Sequence, residues 1–319
     1  MGYSLMPKGS VFTASFKRIE VYEIDGVKIS SPALAARRTQ IGNYSVSVSA
    51  GSSLNAVCHA TDGDNYVDSE AEWRKDKKCT GPVLAISIGP TRPHTGSPKF
   101  ATVSADLIHT YDSFSEARYE LREVSRTVVP SVFTSLSAVG FASDPNVKLT
   151  HRDVAFFGAT ADRITILDSY ISVSATGSVL TAVSDADAEE YLELSFGLLS
   201  KIDAKMVDFL YLGLKEKHLI QRFLLMFISI ERSTHMAFKR LKAKTPDVEL
   251  NKLNERFEWS VQNFWKNLGA NDIQTFKRLK LIRDKLAHGE TTYVSEHDVV
   301  QVEALAKQVL IATTSSLHA

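Results

Sequence analysis

The chain has 319 residues, 44% hydrophobic and 23% charged, with 37 Lys and Arg set against 37 Asp and Glu. That balance excludes a disordered polyelectrolyte, and the apolar content is enough for two cores, so two domains are expected. The longest apolar run, 223–230, is interrupted by Ser229 and followed by Glu231 and Arg232, well short of the about 18 residues of a membrane helix.

Residues 1–10 hold no apolar signal core, and Met6 stands where a myristoylation signal has Ser or Thr, so a cytoplasmic protein without a membrane partner is expected. Cys58 and Cys79 are not accompanied by paired Cys or His. They read as plain thiols, with no zinc site and no disulfide framework. Neither phosphate-loop fingerprint, GxxxxGK[ST] or GxGxxG, occurs, which argues against a nucleotide-driven enzyme, and no metal or cofactor is expected.

Residues 11–180 are rich in Ser, Thr and Val in short alternating segments. The first expected strand, 16–24, leads through Asp25-Gly26 into 27–29 as a hairpin. In the next, Tyr44, Val46, Val48 and Ala50 face one way and Ser45, Ser47 and Ser49 the other, the pattern of a half-buried strand. Further strands are expected at 54–60, 83–88, 99–103 and 163–174. One helix interrupts them: Ser113 and Glu116 form a capping box, and Ala117, Leu121 and Val124 make a stripe that runs toward Pro130. The first domain, 1–180, is therefore expected to be α+β, mostly antiparallel strands with one helix.

The periodicity then becomes helical. Ser184 caps a helix with an acidic first turn (Asp185, Asp187, Glu189) and the stripe Ala188, Leu192, Phe196 and Leu199. Helices at 204–214, 218–241, 251–268 and 272–288 follow. A last one starts at Ser295, boxed by Asp298, with Val299, Val302, Ala306 and Val309 inward. Short connections imply antiparallel packing, so 181–319 is expected to be an all-α bundle. Trp259, Phe264 and Trp265 at helical spacing read as core or interface.

In the 272–288 helix the stripe Ile273, Phe276, Leu279, Ile282 and Leu286 is broken by Arg283, whose stem shares the apolar face while its guanidinium needs an anion or a wet cleft. Glu231 intrudes likewise on the 218–241 helix, with His235 one turn further on. Glu231 and Arg283 are expected to pair across the helices, since either charge buried alone costs several kcal/mol. His235 reads first as a satisfied core histidine.

Gly289 suits the left-handed position that closes a helix, which puts His288 at the C-terminal end, where the dipole favours imidazolium. Asp284, four residues earlier, is placed to hold the His288 ring. Arg283 and His288 are five residues apart, about 140° round an ideal helix. They converge on one substrate only if the helix end unwinds or a second protomer contributes.

The segment Arg283-Asp284-Lys285-Leu286-Ala287-His288 resembles the R-x4-6-H motif of the HEPN superfamily of helical domains, with a polar residue directly after the Arg and an Ala-His-Gly ending. The resemblance covers the helical part only, where the preceding helix with an inward Glu231 also fits. It implies a metal-independent endoribonuclease acting as a homodimer. His288 would be general base or acid for attack of the ribose 2′-hydroxyl on the adjacent phosphate, Arg283 would stabilise the transition state, Asp284 would orient, and Glu231 and His235 would support. A β-rich region ahead of such a domain looks like the ApeA-like proteins of bacterial phage defence, which implies a defence or stress role and a partner or trigger at the first domain. A catalytically silent HEPN module for RNA binding or dimerisation is the alternative.

Local charge supports an RNA face. Along 277–285, Lys277, Arg278, Lys280, Arg283 and Lys285 crowd together against the single acid Asp284. The run 239–244 reads as cations favoured near a helix C-terminus. Cys58-His59, on an expected strand, would point to opposite faces and could not cooperate as nucleophile and base.

Overall fold

The computed structural model describes residues 4–5, 9–25, 27–62, 82–98, 101–104, 107–110, 113–140, 148–161, 165–171, 181–182, 184–202, 204–243 and 249–317. Cys79, the Gly26 turn, Lys244 and the ends of two expected strands (99–100, 163–164 and 172–174) lie outside them. The chain forms two compact units, residues 1–129 with 140–196, and 130–139 with 197–319. None of the described helices is long and apolar enough to cross a membrane.

The first unit contains the strands β1 (Ser4–Leu5), β2 (Phe12–Asp25), β3 (Val27–Lys28), β4 (Arg37–Ile41), β5 (Tyr44–Gly51), β6 (Val83–Gly89), β7 (His94–Gly96), β8 (Ala101–Ser104), β9 (Leu107–Thr110), β10 (Lys148–Thr160), β11 (Thr165–Ile171) and β12 (Thr181–Ala182). A ten-stranded sheet runs β1-β8-β9-β11-β10-β2-β6-β5-β4, with β7 beside the start of β2. Its pairs are antiparallel except β9 with β11. The α+β, mostly antiparallel expectation for this region agrees with that topology.

Several local expectations do not hold. The 27–29 segment is not a hairpin partner of β2: β3 pairs in parallel with β12 in a separate two-stranded sheet. The segment 54–60 is helical, α1 (Leu54–Asp62). Ser53 caps it, accepting the Ala56 N–H at 3.3 Å on its hydroxyl and the Val57 N–H on its carbonyl, and the buried positions Val57, Cys58 and Thr61 recur at helical spacing. Cys58 and His59 still cannot cooperate, but for a different reason: Cys58 is fully buried and His59 is exposed on the neighbouring flank of α1.

The third correction concerns β5, which is covered on both faces: Ser47 and Ser49 are as buried as Val46 and Val48. α1 lies over the serine side, where Val57 and Cys58 meet Ile19, Val21, Val83, Ala85, Ala155 and Phe157. The opposite face meets α2 (Ser115–Val139), through Ser125 on Glu20 and Arg118 over the Phe156 ring. Alternation cannot separate a half-exposed strand from one whose second face is covered by small side chains. The long helix α2 also continues through Pro130 to Val139 instead of ending there, and the chain passes from one unit to the other at that residue.

Helix α3 (Asp185–Leu199) starts as expected, with the Asp187 N–H on the Ser184 hydroxyl at 3.1 Å. Its first part belongs to the first unit because Asp185 accepts the N–H groups of Ser30 and Ser31 and Glu193 meets Arg37 at 2.8 Å.

The second unit is mostly helical: α4 (Ala204–Lys215), α5 (Leu219–Lys242), α6 (Leu253–Asn263), α7 (Ala270–Ala287) and α8 (Glu296–Leu317). α5 is central and touches each of the other four. The core is aromatic, with Phe257 stacked on Phe276 at 3.9 Å, Phe227 5.6 Å from Phe276, and Trp265 edge-on to Phe257 at 5.4 Å. Each of these rings is fully buried, which is worth about 2 to 3 kcal/mol apiece. The expected 251–268 helix stops at Asn263. There the Phe264 and Trp265 N–H groups both turn back onto the Ser260 carbonyl, and this swings Trp265 into the core.

Candidate functional site

Arg283 lies on the inward side of α7. Its guanidinium bonds the Glu231 carboxylate from α5, sits 5.3 Å above the Phe227 ring, and reaches back to Asp284 Oδ1 at 2.8 Å. The cross-helix pair is thus present, with side chains 28% and 29% exposed. It is a half-buried pair rather than a core one. The apolar stripe explains the placement: Phe276 and Leu279 precede Arg283 by seven and four residues, so the helix that buries them carries Arg283 inward with them.

The end of α7 follows the expected cap. Gly289 has φ 71°, its N–H bonds the Leu286 carbonyl at 3.2 Å, and the Glu290 N–H bonds the Lys285 carbonyl at 2.8 Å. This is the double bond pattern that closes a helix on a left-handed residue. His288 is the last residue before that turn, its N–H bonded to the Asp284 carbonyl at 3.0 Å, and its ring is exposed. The helix does not unwind before it, so the two motif residues diverge within one chain.

Asp284 does not hold His288. Its carboxylate is shared by Lys280 and Arg283, and no hydrogen bond joins it to the His288 ring. A four-residue spacing permits two partners, one each way along the helix, and the Lys280 ammonium gains more from the carboxylate than an exposed imidazole does.

The cations of α7 look different once neighbouring helices are counted. Lys277 donates to Glu258 of α6 at 2.9 Å, Arg278 pairs with Asp298 and Gln301 of α8, Lys280 with Asp284, and Arg283 with Glu231. Burial alone would raise the Asp298 carboxyl, but Arg278 and the Ser295 hydroxyl and N–H outweigh it and hold it below the usual range. Of the five basic residues, Lys285 is the one without an ion pair among the described residues, and it is exposed on the His288 side of the helix.

His235 is not a core residue. It is exposed one turn beyond Glu231 on α5 and lines an open cleft of about 360 Å³ with Phe238, Lys239, Lys242, Ala243 and Arg256. Periodicity in α5 puts it with the apolar face, but none of the described helices covers that position.

Two buried polar networks in the first unit escape a reading of the sequence. Glu120 on α2 accepts the Tyr44 hydroxyl at 2.8 Å and contacts His94 Nε2 at 2.9 Å. Partial burial and that carboxylate push the Tyr44 phenol up. Glu20 accepts from Arg18, Tyr22 and Ser125, and although burial would raise its carboxyl, these partners hold it below its ordinary value. Each joins a residue of α2 to residues far away in the sequence, Glu120 to Tyr44 and His94 and Ser125 to Glu20, so no local pattern contains the whole, and both brace α2 to the sheet. Among the described residues no group of three or more His, Cys, Asp and Glu side chains could hold a metal ion. No protein-family model matches the chain, and no curated protein or solved structure matches it either.

Proposed function

We propose that the helical region is a HEPN-type endoribonuclease that cuts RNA without a metal and works as a homodimer. The observation that carries this reading is the end of α7, where a half-exposed guanidinium fixed by Glu231 and an exposed histidine at a left-handed cap occupy the two ends of an Arg-x4-His motif. His288 faces solvent with its ring open to a substrate, and Arg283 offers a fork suited to a phosphoryl group. The ribose 2′-oxygen bonds to phosphorus as the bond to the 5′-oxygen breaks. One His288 takes the 2′ proton, and a second, from the other protomer, protonates the leaving oxygen. Purified protein incubated with RNA and a chelator is expected to cut, and Arg283→Ala or His288→Ala to cut at least about a hundredfold more slowly with unchanged folding. Cutting that persists at the wild-type rate in either variant refutes the assignment.

One set of observations favours a silent module that binds RNA or dimerises. Arg283 is already neutralised by Glu231 and Asp284, and His288 points about 140° away from it. In that case no cutting occurs in any condition while RNA binding persists.

A further inference from the structure

Beyond Arg283 itself, most cations of α7 are already paired, and the unpaired ones that could receive a phosphate strand gather at the far end of α5. His235, Lys239 and Lys242 follow Glu231 by four, eight and eleven residues, so all four lie on one stripe of that helix. Arg256 joins the last three from α6 to line the cleft. None of His235, Lys239, Lys242 and Arg256 has a carboxylate partner among the described residues, because Glu231 is taken by Arg283 and Glu255 turns to Lys252.

Helix dipoles account for part of this charge only. Lys239 and Lys242 stand in the last turns of α5, where cations are favoured. Arg256 stands in the first turns of α6, where the dipole disfavours a cation. It is held there by its Nε on the Leu250 carbonyl at 2.9 Å and by stacking over the Phe238 ring at 5.2 Å. Phe238 is itself buried edge-on against Trp259. A guanidinium pinned by a carbonyl and a ring, with no acid among the described residues to neutralise it, beside two exposed lysines, is an arrangement completed by an anion.

We propose that this stripe is the RNA track: the cleft at His235, Lys239, Lys242 and Arg256 binds backbone phosphates of the strand whose scissile phosphate lies at Arg283. The proposal rests on the ribonuclease reading for the second half of that statement only. Lys239 is about 12 Å along the helix axis from Glu231, and continuity along one face lets a single strand reach both places.

The test measures binding of a labelled single-stranded RNA to the full chain by anisotropy over about 50 to 200 mM salt. The Lys239→Gln/Lys242→Gln/Arg256→Gln variant is expected to bind at least about tenfold more weakly. The slope of log affinity against log salt should fall by about 2, at about 0.7 for each phosphate left without its cation. Lys277→Gln/Lys280→Gln, which removes cations already paired, should change affinity less than about twofold. If the triple variant melts early, Lys239→Gln/Lys242→Gln, both exposed, serves instead with an expected slope change of about 1.4. Wild-type affinity and slope in these variants overturn the proposal. So does a cleft that binds inorganic tripolyphosphate in the wild type and loses it in the triple variant while RNA affinity stays fixed. Failure of the ribonuclease reading shows separately, as RNA that is bound but never cut by the wild type.

Discussion

Replacing Glu231 with Gln removes the charge that fixes Arg283 and keeps the side chain's size. Two unit charges about 4 Å apart attract by about 4 kcal/mol at an effective dielectric of about 20. The two side chains are 28% and 29% exposed, so desolvation and residual screening offset most of that. Asp284 and the Phe227 ring also remain as partners when Glu231 is neutral. The net coupling between Glu231 and Arg283 is therefore expected to be about 1 kcal/mol, above an exposed pair and far below a fully buried one. The assay is a double-mutant cycle of Glu231→Gln and Arg283→Gln, with urea unfolding followed by tryptophan fluorescence, to which the buried Trp265 contributes. A coupling energy under about 0.3 kcal/mol would show that the pair does not orient Arg283.

Two further outcomes follow from the same unit. Gly289→Ala forces a Cβ into a backbone at φ 71°; strain of about 1 to 2 kcal/mol, partly offset by a stiffer unfolded chain, should lower stability by about 0.5 to 1 kcal/mol in urea titration, and a variant as stable as wild type refutes the left-handed cap. Glu303 is bonded by Lys307 at 2.7 Å and by Arg222. Burial would raise its carboxyl, but Lys307 and Arg222 prevail and hold it below its ordinary value. A depressed folded-state carboxyl stabilises above the unfolded value and loses that contribution as pH falls through the folded one. Wild type should thus lose more stability than Glu303→Gln between about pH 5 and about pH 2, and parallel urea midpoints across that range would contradict the pairing.

Much of the second unit is legible in the sequence because its signals are local. The Asp298 N–H bonds the Ser295 hydroxyl and the Ser295 N–H the Asp298 carboxylate, as the capping box requires, Gly289 closes α7, and Val299, Val302, Ala306 and Val309 are all buried. The first unit is less legible. β10, which pairs along nearly its whole length with β2, carries Phe156, Phe157 and Gly158 in succession and alternates weakly because α1 and α2 cover opposite faces of the sheet. α1 passes for a strand because Leu54, Ala56, Val57, Cys58 and Ala60 make a short, nearly continuous apolar run, while the helical spacing of Leu54, Val57, Cys58 and Thr61 and the Ser53 cap are the signs that decide for a helix.

The site shows the same limit in sharper form. Counting along 277–285 gives five cations to one acid, and that count is correct for the stretch and misleading for the surface. Glu258, Asp298 and Glu231 lie on three other helices, and each neutralises one of those cations. At the end of α5 the lysines alone look like a helix terminus with favourable charge, and Arg256, on α6 and opposed by its own helix dipole, is what sets the proposed cleft apart from a capped end. Charge along one element therefore places a phosphate strand poorly. Unpaired charge converging from two elements is the criterion that moves the proposed RNA path from α7 to the stripe of α5 that begins at Glu231.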